Sequence, residues 1–137
     1  MRGKGAYPSI VASNKQSLAD WRAQLAAYVK RYIPLDAIPH DAQFAIRMEF
    51  MLRRPASHYL PLNSKRTLPE LRATAPVWVT KAPDIDKLVR AVLDASTDAG
   101  IWDDDSQAVY VIASKKYANS PNAVGVTITY SQENTTA

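Results

Sequence analysis

Residues 76–115 read PVWVTKAPDIDKLVRAVLDASTDAGIWDDDSQAVYVIASK, and the alternation of patterns inside this stretch decides the fold. Pro76–Lys81 has the composition of a short strand. After Pro83, a residue tolerated at the start of a helix and not inside one, Ile85, Leu88, Val89, Val92 and Leu93 recur at helical spacing up to about Asp98. Gly100 supplies the terminator. Residues 107–115 (QAVYVIASK) return to β-rich composition, so a strand, a helix and a strand follow one another.

Working outward, residues 43–53 (QFAIRMEFMLR) alternate strictly, with Phe44, Ile46, Met48, Phe50 and Leu52 on one side and Arg47, Glu49 and Arg53 on the other. Period two over that length predicts a strand buried on one face. Upstream, Leu18, Trp21, Leu25, Tyr28, Val29 and Tyr32 define an amphipathic helix over 17–32, with Asn14 and Ser17 as its candidate caps. Pro55–Ala75 lacks periodicity and predicts a long surface loop with one helical turn at 68–72. Downstream, 124–130 (VGVTITY) is a further strand, and Asn119–Asn122 predicts a turn that joins it to 107–115 as a hairpin. Residues 131–137 read as a frayed tail. The expected fold is α/β of the α+β type, a small mixed sheet with two principal helices packed on it, in a single domain over 1–137.

Composition bounds the chemistry. The 137 residues contain no cysteine and only two histidines, His40 and His58, which excludes thiolate metal sites and disulfides and argues against a histidine-rich centre. Both histidines lie in Pro-rich surroundings and read as surface residues. No run of about 18 apolar residues is present, so we expect no membrane association and a cytoplasmic protein. Net charge is +4, and seven of the thirteen acidic residues (Asp84, Asp86, Asp94, Asp98, Asp103, Asp104, Asp105) fall within 84–105. A basic body attracts phosphates, and one acidic focus can hold a cation.

Within the focus, Asp84 and Asp86 flank an apolar residue where extended chain becomes helix. Two readings stay open: a pair of carboxylates facing one cation, or ordinary capping of the helix N-terminus. Asp103–Asp105 after the next helix favours the cation, because uncompensated carboxylates repel and magnesium takes oxygen ligands. A helix of about 13 residues runs roughly 20 Å away from Asp86, and Ala99–Asp105 returns at most about 23 Å. The return path is therefore nearly taut. Asp86, Arg90, Asp94 and Asp98 form a polar stripe, in which Asp94 and Asp98 read as a solvated ladder. Arg90, one turn from Asp86, is placed to neutralise phosphate charge. An EF-hand is excluded by Leu88, Val89 and Ala95 at positions that need an oxygen ligand, glycine and glutamate.

The segment KAPDIDKLVRAVLDASTDAGIWDDDSQAV, with FMLRRPASHY, LRATAPVWVTKAPDID and SNKQSLADWR upstream, resembles the RusA family of Holliday-junction resolvases over most of the chain. The resemblance implies a Mg²⁺-dependent, structure-selective DNA endonuclease, with Mn²⁺ able to substitute. It would act as a homodimer on four-way junctions in bacterial or phage recombination and repair. It implies Asp84, Asp86 and Asp105 as metal ligands and Arg90 at a basic catalytic position that is usually Lys. Asp104 would tune the site and Asp103 would be exposed. Lys115 matches a basic residue at a strand end and is expected to contact phosphate, with Lys81, Arg53, Arg54 and Lys87 as further DNA-binding cations. Lys87 stands where the family commonly has Asn, and the start at RGKGAYPSI implies that the family's first N-terminal strand is missing. A catalytically impaired junction-binding protein of the same fold is therefore the alternative.

Overall fold

The structure, a computed structural model, describes residues 10–12 and 18–133, with side chains from 22 onward. It is an α+β fold with two helices on a mixed four-stranded sheet. The elements are β1 (Ile10–Ala12), α1 (Leu18–Tyr32), β2 (Gln43–Leu52), α2 (Ile85–Asp98), β3 (Ala108–Tyr117) and β4 (Gly125–Glu133). No helix among the described residues is long and apolar enough to cross a membrane.

β2 forms because its alternation fits the pleat. Phe44, Ile46, Met48, Phe50 and Leu52 are all buried, while Arg47 and Glu49 on the other face are exposed. Burial of each such apolar side chain stabilises the fold by about 1.5–3 kcal/mol. The helices cover this face. α1 contributes Leu25 and Val29, followed by Ile33, and α2 contributes Val92, Leu93 and Ala95. Tyr32, expected on the apolar stripe of α1, is instead exposed, with its ring 4.6 Å from that of Tyr28. The calls on Asn14, Ser17, Leu18 and Trp21 as caps and side-chain contacts lie outside the described side chains.

The sheet order is β1-β4-β2-β3. β2 pairs in parallel with β3 and antiparallel with β4, so the expected hairpin between β3 and β4 does not form. The reason is lateral: β2 carries the strongest apolar face and occupies the centre between them. A parallel neighbour requires a long crossover, and residues 53–107, including α2, provide it. β4 extends through Glu133, with Gln132 buried, so 131–133 belong to the sheet and not to a frayed end. Residues 134–137 of the expected tail lie outside the described residues. β1, pairing Ile10 with Ile128 and Ala12 with Val126, is a strand that the sequence pattern does not mark. The expectation of a missing earlier strand concerns residues outside those described.

Two further local expectations change. The helical turn predicted at 68–72 is absent; the loop has a 3₁₀ turn at Ala56–His58 and a bridge between Tyr59 and Leu71 instead. Segment 76–81 makes only one isolated bridge, Trp78 to Lys116, against the free edge of β3. Its two backbone bonds to β3 are Tyr117 N–H to Val77 O and Val79 N–H to Lys115 O.

Candidate metal and DNA-cleavage site

α2 positions the first two aspartates. Asp84 occupies the N-cap with extended backbone (φ −68°, ψ 142°), yet its side chain makes no capping hydrogen bond. No capping hydrogen bond therefore accounts for this carboxylate. Asp86 stands exposed in the first helical turn. The segment before them is fastened from the sheet. Lys115, on β3, donates from Nζ to the carbonyl oxygens of Lys81 and Pro83, both at 2.8 Å.

The third aspartate arrives by the return path. Gly100 turns the chain at φ 84°, a left-handed value that favours glycine. Trp102 then packs against Phe44 and Tyr130 and donates from Nε1 to Thr97 Oγ1 at 2.7 Å, which ties the returning strand to the last turns of α2. At the end of this path Asp105 forms an ion pair with Arg90. Arg90 lies one turn, about 6 Å of helix rise, beyond Asp86. Its guanidinium also reaches Asp94 at 3.4 Å, and these two partners, Asp105 first, hold its pKa above the ordinary value.

The turn that presents Asp105 has its own cap. Asp104 accepts from the Ser106 N–H at 3.1 Å, and Gln107 accepts from the Asp104 N–H, a reciprocal capping box. The bond from Ser106 lowers the Asp104 pKa. Gln107 also accepts from the Asp103 N–H at 2.9 Å and donates to the Ala42 carbonyl at 2.9 Å, which joins the turn to the start of β2. Gln107 thus orders the turn that carries Asp105, a role not marked by residue type alone. The Asp-x-x-Gln spacing at 104–107 was the available signal. Asp103 points outward and pairs with His40 at 2.8 Å.

Asp86 and Arg90 thus share a stripe of α2, Asp84 stands at the N-cap, and Asp105 meets Arg90 from the turn beside the helix. Among the described residues, no three acidic or histidine side chains stand close enough to share one cation. Asp105 is turned to Arg90, and Asp84 has the Lys87 ammonium at 3.9 Å. The donors fit a hard divalent cation in kind, since they are carboxylate oxygens, exposed at Asp84 and Asp86 and partly exposed at Asp105, without sulfur or imidazole competitors.

The expected DNA-binding cations divide. Arg53, Lys81 and Lys87 are exposed. Arg54 is not: it is buried, donating to Ala118 O (2.9 Å), Pro76 O (2.6 Å) and Asn119 Oδ1 (3.0 Å), with His58 Nδ1 at 3.3 Å. Its guanidinium is held by acceptors of the protein itself, which ties the base of the 53–76 loop to the end of β3. Asp94 and Asp98, expected as a solvated ladder on α2, each face Arg22 of α1 at 3.5 Å. At this exposure such pairs contribute little to stability.

No curated protein matches the chain closely enough to serve as a relative. The family model described as endodeoxyribonuclease RusA matches residues 4–129, a span that contains β1 and all the site residues named above and ends within β4. By that match, which covers nearly all of its 137 residues, the chain belongs to the RusA family of endodeoxyribonucleases.

Proposed function

We propose that this protein is a Mg²⁺-dependent, structure-selective endonuclease that resolves Holliday junctions by paired phosphodiester hydrolysis, in cytoplasmic bacterial or phage recombination and repair. Family membership supports the nuclease class. The observation that supports the site is the ion pair between Arg90 and Asp105, which ties the third aspartate to the residue one helical turn beyond Asp86. The carboxylate of Asp84, which makes no capping hydrogen bond at the helix start, adds to it.

In this reading Asp84, Asp86 and Asp105 hold Mg²⁺, or Mn²⁺ in its place. A bound divalent cation supplies an acidified water and neutralises charge on the attacked phosphodiester. Arg90 exchanges Asp105 for phosphate oxygen, with Asp94 as its standing partner on the helix. Arg53, Lys81 and Lys87 steer the DNA backbone, giving binding that weakens with salt. Paired incisions need two sites, and a two-fold homodimer presents them. The exposed apolar run Val109–Ile112 on the outer strand β3 supports self-association, because an uncovered apolar edge strand invites a partner.

The test is cleavage of a synthetic four-way junction against a matched linear duplex, with and without Mg²⁺. Junction-selective, metal-dependent cleavage is expected, and Asp86→Asn should abolish it while retaining junction binding. Cleavage at the normal rate by folded Asp86→Asn would remove the ligand assignment. The second reading, a junction-binding protein impaired in catalysis, is favoured by one contact, the Lys87 ammonium beside Asp84. It predicts tight binding without product at any Mg²⁺ or Mn²⁺ concentration, and recovery of cleavage in Lys87→Asn.

A further inference from the structure

We propose that Lys115 is a positioning residue that sets the place of Asp84 by clamping the backbone in front of it, an inference that rests on the site reading above. Lys115 pairs in register with Phe50, a core-facing residue of β2, so its side chain leaves the sheet on the face that α2 covers. From there Nζ donates to the carbonyls of Lys81 and Pro83, at 2.8 Å each. These two carbonyls bracket Ala82 and immediately precede Asp84.

The clamp has little competition. The chain is fastened upstream by Tyr117 N–H to Val77 O (2.9 Å) and Val79 N–H to Lys115 O (3.3 Å). Downstream it is held by α2, whose first backbone bond runs from Leu88 N–H to Asp84 O at 3.2 Å. Between Val79 and Asp84, Pro83 has no N–H to offer, and the described backbone–backbone bonds skip the segment. An ammonium has three donors, and here two of them converge on this gap. A lysine on a strand end that served phosphate alone would point its amine to solvent. Lys115 is turned inward, toward the chain that carries the first aspartate, and it forms no ion pair with that aspartate itself. Its charge therefore acts through the backbone.

A phosphate contact and a backbone clamp differ in what their loss changes. In Lys115→Met, which keeps the length and apolar stem, the clamp predicts a fall in kcat of about a hundredfold at saturating four-way junction. It predicts Mn²⁺ affinity of the free protein weakened by about tenfold, and lower backbone ¹⁵N order parameters at 81, 82 and 84 in metal-free protein. Junction Kd measured in EDTA, and its slope against salt, should stay at the wild-type values. A salt slope shallower by about one unit with kcat intact would instead make Lys115 a phosphate ligand and overturn the proposal. If Lys115→Met does not fold, Lys115→Arg is measured in its place: it keeps the charge for phosphate but not the compact ammonium, so wild-type kcat in that variant also overturns the clamp. Asp86→Asn run alongside separates the two levels. Cleavage retained in Asp86→Asn faults the site reading, whereas cleavage lost there but normal in Lys115→Met faults only the clamp.

Discussion

Arg90 on α2 is ion-paired to Asp105, fifteen residues further along the chain, and this contact closes the return path that begins at Gly100. The path was expected to be nearly taut if Asp105 were to reach the level of Asp86. It reaches Arg90 instead, and the long guanidinium side chain spans the remainder.

Because the same guanidinium holds Asp105 and would face phosphate, its removal should separate metal binding from catalysis. In Arg90→Gln we expect apparent Mn²⁺ affinity to rise, as Asp105 loses its competing cation, while junction cleavage at saturating metal falls by about a hundredfold. Manganese titration followed by single-turnover cleavage would check both halves. Unchanged cleavage would rule Arg90 out of the reaction.

Neighbouring arginines at the end of β2 should behave in opposite ways. Arg53 is exposed, so Arg53→Ala should leave stability within about 0.5 kcal/mol and make the salt dependence of junction binding shallower by about one unit. Arg54 is buried among the carbonyls of Ala118 and Pro76. Arg54→Met strands both acceptors and should cost about 3 kcal/mol, while the salt slope is unaffected. Urea unfolding and binding titrations at several salt concentrations distinguish the two, and an exchange of the two phenotypes would contradict the structure.

This contrast shows where the sequence was readable. Helix and strand periodicity report which face of an element is buried, and α2 and β2 were legible to within a residue or two because each buries a single apolar stripe. Periodicity is silent about lateral neighbours, so β3 and β4, adjacent in the chain, gave no sign that β2 lies between them. For the site, helical spacing puts Asp86 and Arg90 on one stripe of α2, with Asp84 at its N-cap. The partner of Arg90 depended on how Trp102 packs against Phe44 and Tyr130, a tertiary fact. The burial of Arg54 was illegible for the same reason: two consecutive arginines at a strand end look alike until one face is covered.

Asp104 should matter for stability in a pH-dependent way. Its folded pKa is depressed below the ordinary 3.8 by the Ser106 N–H, so its contribution is fully present above that value and is lost as pH falls through the lower folded pKa. Asp104→Ala should therefore melt at a lower temperature than wild type at pH 7, with the gap closing well below pH 3.8. Equal melting temperatures at pH 7 would mean that the capping box does not hold the turn. The variant should also lose cleavage, because Asp105 is the next residue in that turn.

In the core, the hydroxyls of Ser96 and Tyr130 lie 2.5 Å apart, and Ser96 donates its only proton to Val92 O at 2.7 Å. Tyr130 must therefore be the donor to Ser96, which fixes an asymmetry between the two deletions. Tyr130→Phe leaves Ser96 bonded to Val92 and should cost about 1 kcal/mol. Ser96→Ala strands the phenol in an apolar core and should cost more, about 1–3 kcal/mol. Burial also raises the Tyr130 pKa from 10.0 to about 12, so the neutral phenol is the form that folding favours. Its stabilising contribution is complete below pH 10.0 and is lost as pH rises through about 12. The advantage of wild type over Tyr130→Phe should thus shrink between pH 10.0 and about pH 12 in urea unfolding, since the other tyrosines and lysines are common to both proteins and cancel. A difference that stays constant across that interval would show that Tyr130 ionises as freely in the folded protein as in the unfolded chain.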